Sequence, residues 1–202
     1  MADPLLLFAH GAGAGTSSAW MQGWAERLAA LGTVLPFDYP YMAEGRKAPD
    51  RLPKLLAAHR AALEAARAEH EPERVVLIGK SMGSRVGCHL ANEPELEVDA
   101  LVCLGYPLVS VGKARKVRDE VLLALETPVL FVQGTRDRLC PLETLGEVRA
   151  RMSAPNELFV VETGDHSLQV TKTHTKQTGV TQAESDAAVL AAIEAFLAQA
   201  AE

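Results

Sequence analysis

The chain has 202 residues, enough for one substantial core and too few for two domains of ordinary size, so a single domain over residues 1–202 is expected. Hydrophobic residues make up 48% and charged residues 23%, which excludes a disordered or fibrous chain. The formal charge of −6 gives no general reason to attract nucleic acid or an anionic membrane.

Met1-Ala2-Asp3-Pro4 carries no basic leader, and the apolar run that follows, residues 5–9, is far too short to span a bilayer and is expected to be the first strand. Ser17 is the candidate N-cap of a helix carrying Trp20 and Trp24. Further apolar runs at 33–38, 75–79, 99–104, 128–133 and 157–162 alternate with segments of helical period. That alternation marks βαβ units and a mostly parallel sheet of about six strands with helices on both faces. The unbroken apolar character of the runs, as in Val75-Val76-Leu77-Ile78, implies burial on both faces.

Residues 51–68 place Leu52, Leu55, Leu56, Leu63 and Ala66 on one stripe, and residues 185–200 do the same with Val189, Ile193, Phe196 and Leu197. Helices are also expected at 83–92 and 142–151. Thr181 and Glu184 form a capping box before the last helix. The polar stretch 163–181, without clear periodicity from Thr171 to Gly179, is expected as a loop. Cys88, Cys103 and Cys140 are odd in number and scattered, which argues against a disulfide framework and fits a reducing cytoplasm. The six histidines are dispersed, so neither a metal nor another cofactor is expected. No exposed apolar face marks an oligomeric contact.

Right-handed crossovers bring the C-terminal ends of all parallel strands to one edge, where ligands of such sheets bind. Three of these ends carry chemistry. At the first, Gly79-Lys80-Ser81-Met82-Gly83 joins a buried strand to a helix. A serine on such a turn is held in strained backbone with its hydroxyl projected, and Gly79 and Gly83 prevent clashes as the chain folds back. The helix also aims its unpaired N–H groups at that point.

A serine hydroxyl needs a base to take its proton and a further group to orient that base. Gln133-Gly134-Thr135-Arg136-Asp137 places Asp137 after one later strand, and Thr163-Gly164-Asp165-His166-Ser167 places His166 after the next. Ser81 is therefore the candidate nucleophile, His166 the base and Asp137 the orienting acid. His174 is the rival base, lacking a preceding strand. His59 lies on an apolar stripe and is expected to be packed, and Asp38 is expected to be structural. For an oxyanion, one donor is the N–H of Met82; the other comes from His10-Gly11-Ala12-Gly13-Ala14-Gly15, with Ala12 first and Gly11 second. Trp20, Tyr106 and Leu108, with Met82, are expected to border the substrate.

Taken together, the opening Phe8-Ala9-His10-Gly11-Ala12-Gly13-Ala14-Gly15, the Gly-Lys-Ser-Met-Gly turn, the Gly134-Thr135-Arg136-Asp137 loop and the Gly164-Asp165-His166-Ser167 loop resemble the α/β-hydrolase superfamily. Within it they are similar to the small dienelactone-hydrolase-like branch that includes testis-expressed and histone-acetyltransferase-complex hydrolase-like proteins. The resemblance runs from Leu5 to Leu197 and implies a three-layer fold lacking the first two of the usual eight strands. Caps of this fold commonly follow the strand after the nucleophile's helix, and the short connection from Gly105 to Thr127 leaves no room for one. Dienelactone hydrolases proper use a cysteine nucleophile where this chain has Ser81, so the resemblance implies a reaction class and not a substrate. The expected activity is hydrolysis of a small carboxylic ester or thioester through an acyl-enzyme. A serine peptidase or acyltransferase would use the same triad, and a hydrolase-like interaction module would keep the fold without the reaction.

Overall fold

The computed structural model describes residues 3–110, 112 and 115–200. Its strands are β1 (Leu5–Ala9), β2 (Thr33–Phe37), β3 (Val75–Lys80), β4 (Ala100–Leu104), β5 (Val129–Gly134) and β6 (Asn156–Val161). The helices are α1 (Ala19–Leu28), α2 (Pro40–Ala43), α3 (Leu52–His70), α4 (Met82–Ala91), α5 (Glu120–Leu123), α6 (Leu142–Arg149), α7 (Lys172–Thr178) and α8 (Gln182–Gln199). All strand pairs are parallel, in the order β2-β1-β3-β4-β5-β6.

Strand alternation divides the core into two layers. Leu5 and Leu7 of β1 and Val75 and Leu77 of β3 face a cluster that takes Leu63 from α3, Leu90 from α4 and Leu145 from α6. Leu6, Phe8, Val76 and Ile78 face the opposite cluster, with Trp24 from α1 and Ile193 and Phe196 from α8. This is the expected three-layer arrangement. Every residue of β1, β3, β4 and β5 is buried, as the unbroken apolar runs imply. The edge strands β2 and β6 are only partly covered. Pro36 sits on β2, where a missing N–H leaves no gap in a central ladder.

Two local expectations are revised. The N-cap of α1 is Ser18, one residue later than expected, whose hydroxyl accepts the Met21 N–H. Within the stretch read as a loop, α7 forms because the Thr171 hydroxyl accepts the His174 N–H and Gly179 ends the helix in the left-handed region. The short α2 and α5 carry too few residues to show a period. The Thr181 and Glu184 capping box does form at α8. Between β4 and β5 the described residues contain only α5 and an isolated bridge between Val109 and Val117, so no cap covers the sheet edge. No helix among the described residues is long and apolar enough to cross a membrane.

His59 is wholly buried on α3 beside the Phe37 and Tyr39 rings. Its Nδ1 shares a 3.1 Å hydrogen bond with the Tyr39 hydroxyl, and its Nε2 has no partner. Burial pushes its pKa down to about 3, so the native state holds the ring neutral. A depressed histidine contributes stability fully above its unfolded pKa and loses it as pH falls. Between pH 6.5 and about 3 this one ring is expected to remove about 1.4 kcal/mol of stability per pH unit. Urea unfolding of the wild type and His59→Leu across that range tests it; identical pH slopes would contradict the assignment.

Candidate active site

The order β2-β1-β3 reverses direction between β1 and β3, which opens a crevice at their C-terminal ends. Ser81 stands there between β3 and α4, with φ 51° and ψ −109°, a left-handed φ that non-glycine residues rarely adopt. Its own N–H is anchored on the Leu104 carbonyl of β4. The turn also requires Gly83, because a Cβ there would stand 2.5 Å from the Ala9 carbonyl oxygen and 2.8 Å from the Ala9 Cβ. Helix α4 therefore crosses β1 at backbone distance.

His166 Nε2 lies 2.8 Å from Ser81 Oγ, and its Nδ1 lies 2.7 Å from Asp137 Oδ2. A carboxylate can only accept, so Nδ1 carries the proton and the Nε2 lone pair faces the serine. The Asp137 side chain has no exposure. Burial pushes its carboxyl pKa up, but hydrogen bonds from His166, the Leu139 N–H and Gln133 outweigh this and hold it below the usual carboxylate value. Gln133 is itself fixed, its Oε1 accepting the Tyr106 N–H at 3.1 Å. The structure thus brings Ser81, His166 and Asp137 into one hydrogen-bonded line.

The Met82 N–H begins α4 beside Ser81. Gly11 and Ala12 line the cleft opposite, and the Tyr41 hydroxyl donates to the Ala12 carbonyl at 3.1 Å. His10 braces this loop from a fully buried position. Its Nδ1–H donates to the Gly11 carbonyl at 2.6 Å, while its Nε2 accepts the Tyr39 N–H at 3.1 Å. Those roles require the neutral ring, and burial lowers its pKa accordingly. Asp38 holds the same loop by accepting from the Thr16 N–H and hydroxyl.

The cleft has a volume of about 360 Å³ and walls that include Trp20, Met21, Leu139 and the His10–Gly15 loop. Trp20 therefore borders the cleft. Tyr106 and Leu108 do not: the chain leaves β4 through Gly105, at φ 66°, and both side chains are fully buried in the core. The Tyr106 ring meets Phe131 edge-on at 5.8 Å. The Met82 side chain turns away too, packing against Tyr39, Tyr41 and Val86. His174, on α7, contributes its backbone N–H to the helix cap and is not part of the hydrogen-bonded line. A larger hollow of about 920 Å³ opens at the opposite ends of the strands, but its lining contains neither serine nor histidine.

Several residues that shape the site were not singled out from sequence. Gln133 and Lys80 were visible as polar residues ending buried apolar strands, a position where a polar side chain needs a partner. Leu139 and Ser167, which line the cleft, gave no such signal.

The sequence profile of a family described as alpha/beta hydrolase domain matches residues 2–198. The chain is 30% identical over 124 residues to the Protein sumv-2 of Caenorhabditis elegans, a stretch that is 61% of this chain and 11% of that protein. It thus spans about a tenth of the length of that curated relative. Among solved structures, the esterase Pf2001 of Pyrococcus furiosus matches with a TM-score of 0.74 at 18% identity, over 98% of this chain and 82% of the other. A dienelactone hydrolase of Anabaena variabilis matches with a TM-score of 0.67 at 20% identity, over 92% and 85% respectively. At these identities the likeness is one of fold, and it agrees with the dienelactone-hydrolase-like resemblance of the motifs.

Gly83→Ala is expected to force α4 away from β1 and to cost about 2 kcal/mol of stability. Urea unfolding measures this, and an unchanged midpoint would show that the backbone contact is not a constraint.

Proposed function

Since the chain belongs to the alpha/beta hydrolase family, we propose that it is a serine hydrolase that cleaves a small carboxylic ester or thioester by way of an acyl-enzyme. The observation that carries this reading is the line Ser81–His166–Asp137, at 2.8 and 2.7 Å, facing an uncapped cleft.

In the proposed reaction, His166 Nε2 takes the hydroxyl proton as Ser81 Oγ attacks the carbonyl carbon. The oxyanion so formed is held by the N–H groups of Met82 and Ala12, with Gly11 as the alternative second donor. The intermediate collapses, and the imidazolium gives its proton to the departing alcohol or thiol. Water then enters, loses a proton to His166 and attacks the acyl carbon, releasing a carboxylic acid and restoring Ser81. Asp137 keeps the imidazole in the tautomer that this cycle requires. An apolar wall including Trp20 and Leu139, and a cleft of about 360 Å³, suit a small acyl group. The names of the fold relatives, an esterase and a dienelactone hydrolase, point to the same bond type. Three buried free thiols favour placing the protein in the cytoplasm.

Ser81→Ala is expected to abolish labelling by a fluorophosphonate probe while leaving the circular dichroism spectrum intact. Persistent labelling would discard Ser81 as nucleophile. Asp137→Asn is expected to retain the fold and lower kcat on p-nitrophenyl butyrate by about 10⁴, because the amide favours the wrong tautomer. Near wild-type turnover in that variant would remove Asp137 from the mechanism.

A further inference from the structure

Lys80, the residue immediately before Ser81, is one of few buried charged side chains, at 9% exposure. It reaches the wall of the cleft. There its Nζ donates to the backbone carbonyl of His166 and stands 5.3 Å from the centre of the Trp20 ring. The Trp20 indole N–H donates in turn to the carbonyl of the next residue, Ser167, at 2.9 Å. Two consecutive carbonyls of the loop that bears the base are thus held from below, one by the end of β3 just before the nucleophile and the other by α1. Gly105 makes the junction possible: with φ 66°, a Cβ there would stand 2.6 Å from the His166 carbonyl oxygen and 3.0 Å from Lys80 Nζ.

The loop needs such support. Thr163 and Leu168, on either side of His166, both have left-handed φ values, 55° and 63°. Non-glycine residues persist in that region only when their surroundings fix them. The carboxylate of Asp165 organises the exposed side of the loop by accepting the Ser167 and Gln169 N–H groups, and Gln182 holds Leu168 and Val170 from α8. On the cleft side, the holding groups are Lys80 and Trp20.

We propose that Lys80 is a positioning residue for the base, its ammonium clamping the His166 carbonyl together with the Trp20 indole and so setting the imidazole at bonding distance from Ser81. The inference rests on the reading of Ser81 and His166 given above. An ammonium donor makes a stronger, charge-assisted bond than a neutral amine and is also attracted to the indole face. The charged or titratable groups facing it are Asp137 from the loop after β5, and Asp165 and His166 from the loop after β6. Burial lowers the Lys80 pKa to about 8, against the opposing pull of the two carboxylates. Below that pH the clamp is charged; above it the clamp weakens.

The test compares wild type, Lys80→Arg and Lys80→Met on p-nitrophenyl butyrate from pH 6 to 9.5, with thermal unfolding as the control for folding. Loss of the donor in Lys80→Met is expected to lower kcat about ten- to a hundredfold, the scale of a misplaced catalytic group, with KM changed by no more than about twofold. Lys80→Arg, which keeps a charged donor, is expected to restore most of kcat. Wild-type kcat should fall severalfold as pH passes about 8, and Lys80→Arg should lack that fall. A folded Lys80→Met with wild-type kcat, or a wild-type alkaline limb that survives unchanged in Lys80→Arg, overturns the clamp. If Lys80→Met does not fold, the comparison of the wild-type and Lys80→Arg alkaline limbs decides alone. Fluorophosphonate labelling of wild type and Ser81→Ala separates the two claims. Without Ser81-dependent labelling the hydrolase reading fails; with it, unaltered Lys80 variants overturn the clamp only.

Discussion

Asp137 holds a negative charge in a side chain with no solvent exposure, and the arrangement of this edge of the sheet follows from meeting that demand. A buried carboxylate is costly unless donors surround it. Here they come from three places: the His166 ring on the loop after β6, the Leu139 N–H on the same loop as Asp137, and Gln133 at the end of β5. Gln133 extends the network to the chain leaving β4, through the Tyr106 N–H. Three strand exits are thereby tied together, and the imidazole is left with one orientation. Tyr106 serves the site through its backbone N–H, two hydrogen bonds removed from the Asp137 carboxylate.

Much of the fold could be read from the chain because parallel strands buried on both faces have an unmistakable apolar run. All six strands fall within a residue or two of those runs, and Thr181 with Glu184 starts α8 as the capping box requires. What escaped was local. Helix α7 has no buried side chain, so it has no apolar period to read; its formation depends on a threonine cap and a terminal glycine. Ser17 and Ser18 are both able to cap, and which one does so depends on the path of the loop from Gly15, whose carbonyl accepts the Ser18 N–H.

For the candidate site, residue type and strand end pointed to Ser81, Asp137 and His166, and these three side chains meet within hydrogen-bonding distance because a parallel sheet carries every strand exit to one edge. Wall residues were another matter. Trp20 reaches the cleft because its indole N–H has a partner there, in the Ser167 carbonyl. Tyr106 and Leu108 follow a strand end just as closely, yet the left-handed turn at Gly105 sends them into the core. Position relative to a strand therefore foretells which polar groups meet at the edge better than it foretells which side chains wall the cleft. Which face a side chain meets after a turn is set by one backbone angle, and a glycine does not announce it.

The missing cap has a kinetic meaning as well as an architectural one. Many enzymes wait on a lid to open before product can leave. Here the connection that could have grown into such a lid is only a short helix and a single bridge among its described residues. In the proposed reaction the departing alcohol or thiol meets solvent directly, and the water needed for the second half of the cycle arrives by the same route. In that reaction no lid has to open before release, and whatever extends beyond the acyl group trails into the surrounding solution without being enclosed.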